Sequence, residues 1–137
     1  MLDRMKQTGV SLALDVHGDE ALPYNFIAGS EGISEWTPAR NQELVNLKHS
    51  WASINPDFQD EKGYPVNSPG TANLAICSNQ LASAFDCLAL TLEMPFKDTA
   101  NSPRPDVGWS PERCIRLGAS FVDVAYLALT RRLLAKS

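Results

Sequence analysis

Hydrophobic and polar positions alternate along the chain in segments that differ in period. Residues 10–16, VSLALDV, form a short apolar run of strand length, and residues 24–29, YNFIAG, form a second, rich in aromatic and β-branched residues. Ahead of them, apolar residues at 1, 2 and 5 followed by Gly9 read as the last turns of a helix with a glycine stop. From Thr37-Pro38 the period changes. Leu44, Val45, Leu47, Trp51, Ala52 and Ile54 recur at helical spacing, with Thr37 as cap, Pro38 at the first helical position and Asn55-Pro56 as the stop. Residues 56–70 form a Pro- and Gly-rich loop of a length that often carries function.

Residues 71–77, TANLAIC, fit either a short strand or a helix entry, and SNQLASAFD reads as a short helix. CLALTLEM (87–94) is a strong apolar strand that Pro95 ends. After an irregular stretch, Ser110-Pro111 with Glu112 in the first turn begins a long amphipathic helix. It carries Ile115, Leu117, Phe121, Val122, Ala125, Tyr126, Leu129, Leu133 and Leu134. Strands alternating with helices predict an α/β fold with a mostly parallel sheet. The first strand is expected to be buried.

Composition narrows the function classes. At 137 residues the chain fits one domain with a real core. A net charge of −4 argues against a general nucleic-acid or anionic-membrane binder. The start, MLDRMKQTG, lacks a signal-peptide core, and no apolar run approaches the roughly 20 residues that span a bilayer. Three cysteines match no metal or redox spacing and are expected as buried free thiols in a reducing compartment. A cytoplasmic location is the corresponding expectation. Trp36, Trp51 and Trp109 are expected to pack, and the cations of the final TRRLLAKS to favour the helix dipole.

Two polar residues interrupt this pattern where chemistry is expected. In parallel sheets ligands bind beyond the carboxyl ends of strands. His17 follows the first apolar run, and Glu93 stands at the end of LALTLE. Histidine is a common metal ligand whose tautomer a nearby carboxylate fixes, and Asp15, Asp19 and Glu20 all lie within three positions. A carboxylate at the end of an apolar strand is costly unless paired, hydrogen-bonded or metal-linked, and in that setting can serve as a general base.

Together, DVHGDEALPYNFIAGSEG, PDFQ, GYP, SPGTAN and LALTLEMPFKD resemble the zinc carboxypeptidase family of the carboxypeptidase A clan, in its cytosolic carboxypeptidase-like branch. D-x-H-G and T-L-E-M-P-F are the most specific segments, and the resemblance covers roughly residues 5 to 130. It implies that His17 is the last protein ligand of a catalytic zinc ion and Glu93 the general base on its water. The implied reaction is hydrolysis of the C-terminal peptide bond of a peptide or protein. It further implies that residues 1–137 form the C-terminal part of a catalytic domain, because the family's other two zinc ligands, in an H-x-x-E motif, and its substrate-carboxylate residues lie upstream. Activity of the chain alone is then expected to be weak or absent, with apolar surface and a sheet edge left open to self-association. Tyr64 is the preferred match for a substrate-binding tyrosine, over Tyr24. Arg113, with Arg104, is expected to meet an acidic substrate tail. A competing reading takes His17, Glu20 and His49 as a small self-contained metal site, since His17-Gly18-Asp19-Glu20 is itself an H-x-x-E.

Overall fold

A computed structural model of the chain describes residues 2–136. The order is α1 (Leu2–Thr8), β1 (Leu12–Asp19), β2 (Phe26–Ala28), α2 (Pro38–Ile54), α3 (Cys77–Ala84), β3 (Leu88–Pro95) and α4 (Pro111–Lys136). Local signals set most boundaries. Gly9 takes φ +73° and its N–H returns to Met5 O at 2.7 Å, closing α1. Thr37 caps α2 by accepting from the Arg40 N–H at 3.2 Å, and Pro38 fills the first helical turn. The helix ends at Asn55, before Pro56.

The three strands form one mixed sheet of order β1-β3-β2, with β3 parallel to β1 and antiparallel to β2. β1 and β3 pair residue for residue from Leu12↔Leu88 to His17↔Glu93, so LALDVH lies against LALTLE. Side chains alternate across a strand. One face therefore carries Leu12, Leu14, Leu88, Leu90 and Leu92, which pack with Leu44, Leu47 and Trp51 of α2 and Leu117 and Val124 of α4. Trp51 stacks on Phe58 at 4.4 Å and donates to Ser120 Oγ at 2.8 Å, joining α2 to α4. The other face begins with Ala13 and Ala89, packed with Leu81 and Ala82 of α3 and with Ile33. Towards the carboxyl ends that face becomes polar, with Asp15, His17 and Asp19 on β1 and Thr91 and Glu93 on β3.

Buried Arg40 holds α3 against this scaffold. Its Nη2 donates to Ala82 O at 2.7 Å and Cys87 O at 2.9 Å, and its Nη1 to Glu35 O at 3.2 Å. The carbonyls at the end of α3 thus receive a cation, which also suits the helix dipole.

Several expectations give way. β1 is half-exposed rather than buried, with Val16 54% exposed, because among the described residues it is the outer strand, paired on one side with β3. Of the two readings left open for residues 71–77, the helix entry holds, with turns leading into α3 at Cys77. Cys77 is exposed, Cys87 buried and Cys114 between, so burial of all three thiols does not hold. Arg132 is buried and pairs with Glu43 and Asp86, tying α4 to α2 and the α3–β3 turn instead of merely suiting the helix end. Helix α4 is apolar on more than its core face. Ile115, Val122, Tyr126 and Leu133 are each about 70% exposed. Among the described residues no helix is long and apolar enough to cross a membrane.

Candidate active site

The strand register brings His17 and Glu93 together. β1 extends through His17 to Asp19, so the histidine sits within a hydrogen-bonded strand and not in the loop after it. Its Nδ1 lies 3.9 Å from Glu93 Oε1, and its Nε2 lies 3.1 Å from Asp15 Oδ2. The imidazole is half-exposed, whereas Glu93 is nearly buried. Burial pushes the Glu93 carboxyl above its ordinary range; His17 opposes that rise, and the charges of Asp19, Asp15 and Glu20 add to it.

A cavity of about 370 Å³ opens beside this pair, with Thr91, Ser78, Lys48 and Tyr64 among its lining. Ser78 Oγ and Thr91 Oγ1 share a hydrogen bond of 2.9 Å in its wall. Tyr64 comes from the long loop after α2 and sets its ring edge-on to Phe26 at 5.0 Å. Burial pushes its phenol up to about 12, assisted by the negative charges of Glu93 and Asp19. Asp19 closes the turn after β1, accepting from the Ala21 N–H at 2.9 Å and the Leu22 N–H at 3.1 Å. Phe96, two-thirds exposed, lies against Gly18, where a Cβ would stand 2.4 Å from its ring.

Arg113 is not at this site. Its guanidinium is buried and all of its donors are used: Nε and Nη2 on Asp57, Nη1 on Asp98 and Gly108 O, and Nη2 also on Thr99 and Ser102. It clamps the loop after β3 to the end of α2, so no donor remains for an acidic substrate. Arg104 faces Asp106 at 3.6 Å on the surface.

The His17, Glu20 and His49 set does not assemble either. Among the described residues no group of three or more His, Cys, Asp or Glu side chains is arranged to hold a metal. His49 is exposed on α2, 3.7 Å from Asp60. Residues three apart share a face on a helix but not along a strand. Glu20 stands just past the end of β1, so this H-x-x-E lacks the helix that would aim both side chains at one ion.

The donor chemistry fits a metal site in part. His17 lines the cavity, and a carboxylate oxygen of Asp15 lies 3.1 Å from its Nε2. The three protein ligands that a zinc site normally needs are not gathered among the described residues.

Solved structures share this arrangement of elements. A metallo-carboxypeptidase of Pseudomonas aeruginosa, in complex with (2-guanidinoethylmercapto)succinic acid, superposes with a TM-score of 0.86 and is 41% identical, over 93% of this chain and 33% of its own. A metallo-carboxypeptidase of Burkholderia cenocepacia gives 0.87 and 38%, over 95% of this chain and 34% of its own. This chain resembles part of a bacterial metallo-carboxypeptidase. An uncharacterized protein of Zymomonas mobilis is 46% identical over 116 residues, 85% of this chain and 30% of that protein. The chain spans about a third of the length of these relatives. No protein-family model matches it.

Sequence reading singled out His17, Glu93 and Tyr64, which the fold brings to one cavity. It passed over Thr91, Ser78 and Lys48 of the lining. Part of the signal was present: in LALDVH and LALTLE every second residue from Ala13 and from Ala89 lies on the site face.

Proposed function

We propose that this chain supplies one metal ligand and the general base of a zinc-dependent carboxypeptidase site, of the cytosolic carboxypeptidase-like branch, acting on peptide or protein C-termini. The observation that carries the reading is the pairing of His17 with Glu93 across two parallel strands, at the carboxyl ends where such sheets place their chemistry. Similarity to the Pseudomonas and Burkholderia metallo-carboxypeptidases supports it.

His17 would hold the ion. The chemistry zinc supplies when bound is acidification of a water and polarisation of the scissile carbonyl. Glu93 takes a proton from water and delivers it to the leaving amine. Its near-burial keeps the carboxyl a stronger base than an exposed one, as a proton shuttle requires. Tyr64, whose phenol stays protonated through the neutral range, offers a hydrogen-bond donor at the cavity wall. Further ligands must come from outside the described residues.

The test has two parts. Elemental analysis of the purified chain should find well under one zinc per chain, and the chain alone should release no C-terminal residue in a chelator-sensitive manner. A hybrid joining it to the remaining two-thirds of the Pseudomonas enzyme should bind zinc and act on peptides. In that hybrid His17→Ala should lose zinc, and Glu93→Gln should keep zinc while losing activity. A fully active Glu93→Gln hybrid would sink the assignment.

A further inference from the structure

Helix α4 is apolar on two opposite sides. One side holds Leu117 and Val124 in the core, against the sheet and α2. The other carries Ile115, Ala119, Val122, Tyr126, Leu129 and Leu133, at alternating steps of four and three residues. That spacing keeps side chains in line along a helix and is the seam of a coiled coil. Ile115, Val122, Tyr126 and Leu133 are each about 70% exposed, Ala119 is exposed and Leu129 is half-buried. Continuous exposed apolar surface of this kind marks an interaction site. The 26 residues of α4 give it a length of about 39 Å.

We propose that this outer face of α4 is a homodimer interface, on which the same face of a second copy of the chain docks in antiparallel orientation.

The face is complementary to itself when reversed. In a two-fold interface, residue i of one copy meets residue j of the other, and j meets i. Antiparallel alignment centred on Val124 sets Ile115 against Leu133, Ala119 against Leu129 and Val122 against Tyr126. In the last two pairs a smaller side chain faces a larger one, as packing without gaps requires. The same steps continued outward reach Glu112 and Lys136, and the alignment sets each glutamate against the lysine of the other copy. The two helix dipoles then run in opposite directions, which is also favourable. A parallel alignment would pair each residue with its own copy. Tyr126 would meet Tyr126, Ala119 would face Ala119 across a gap, and Glu112 would meet Glu112. Size and charge therefore choose the same orientation. Gly118 and Ala125 flank the seam on one side, and a Cβ at Gly118 would meet nothing within 4 Å, so a second helix has room to approach. Asp123, exposed on the other flank near the axis, approaches its own copy and opposes the contact. A micromolar dimer is the corresponding expectation. The candidate active site lies on the other face of the sheet from α4, so it stays outside this interface.

Sedimentation of the purified chain is the test. Its mass should rise from 15.0 kDa toward twice that value with a Kd of about 1–100 μM. A chain that stays at 15.0 kDa at about 500 μM overturns the proposal and leaves the face to another occupant, such as the further two-thirds of a longer carboxypeptidase. Val122→Glu and Tyr126→Glu should each give a monomer with an unchanged circular-dichroism spectrum, because both side chains stand away from the core. A dimer that survives in both folded variants, held by the β1 edge for example, also overturns it. The wild-type mass alone decides if neither variant folds. Exchange of the end charges reads the orientation. Glu112→Lys should weaken the dimer by about two- to fivefold, and adding Lys136→Glu should restore it. Each reversal opposes the dipole of its own helix, so restoration cannot come from within one chain. A double variant weaker than Glu112→Lys alone would refute the antiparallel alignment.

Discussion

Arg113→Met isolates what the buried guanidinium contributes. The side chain is 3% exposed and bonds Asp57, Asp98, Thr99, Ser102 and the Gly108 carbonyl, with its guanidinium 5.1 Å from the Trp109 ring centre. Methionine keeps much of the apolar stem but leaves Asp57, whose carboxylate is only 12% exposed, without its cation. Removing one partner of a buried ion pair costs about 3–5 kcal/mol. Asp57 retains a 2.5 Å hydrogen bond from Ser102 Oγ, so the expected loss is near the lower end, about 3 kcal/mol. For a chain of this size that is a fall in Tm on the order of 10 °C. Arg113→Lys keeps the charge but loses the planar fork, and about 2 kcal/mol is expected. Urea unfolding followed by tryptophan fluorescence measures both. In a double-mutant cycle with Asp57→Asn, the methionine change should cost at least about 1 kcal/mol less than it does alone. A loss below about 1 kcal/mol, the scale of a surface ion pair, would refute this account. Arg113 would then be free to serve a substrate.

The same pair predicts an acid response. Arg113 holds the Asp57 carboxyl below its ordinary value of 3.8, so its stabilisation is full above that value and is lost as pH falls through the lowered one. Asp57→Asn should flatten the acid limb of a stability–pH curve, and an unchanged limb would exclude the linkage. Gly108→Ala should destabilise by about 1–3 kcal/mol, because Gly108 has φ +63° and its Cβ would lie 2.5 Å from Lys97 O. Gly18→Ala should cost under about 1 kcal/mol, since it meets only the exposed and movable ring of Phe96. Equal losses in denaturant melts would contradict the distinction between a backbone clash and a side-chain one. Tyr64 should ionise near pH 12 in an ultraviolet titration, and Asp19→Asn should bring it down by removing a facing negative charge. No change in the variant would mean that Asp19 does not act on the phenol.

Much of this molecule was legible along the chain. The α2 boundaries follow from Thr37, Pro38 and Pro56, and the end of α1 from Gly9, because capping, proline geometry and positive φ act within a few residues. His17 and Glu93 stood out for the same local reason: each is a polar residue at or near the end of an apolar strand. The alternation within β1 and β3 already put Asp15 on the face of His17, and Thr91 on the face of Glu93. Whether those two faces meet is a different matter. It depends on parallel pairing between strands far apart in sequence, and a slip of one residue would turn the pattern to the opposite face. The fate of Arg113 was equally hidden. Its partner Asp57 lies 56 residues away, and nothing around either residue names the other. Residue types and nearest neighbours set helix ends, strand faces and candidate chemistry. Only the tertiary structure decided that β1 is the outer strand among the described residues, that Arg113 is a clamp, and that Asp15 lies beside the histidine, because burial and charge pairing depend on what arrives from elsewhere in the chain.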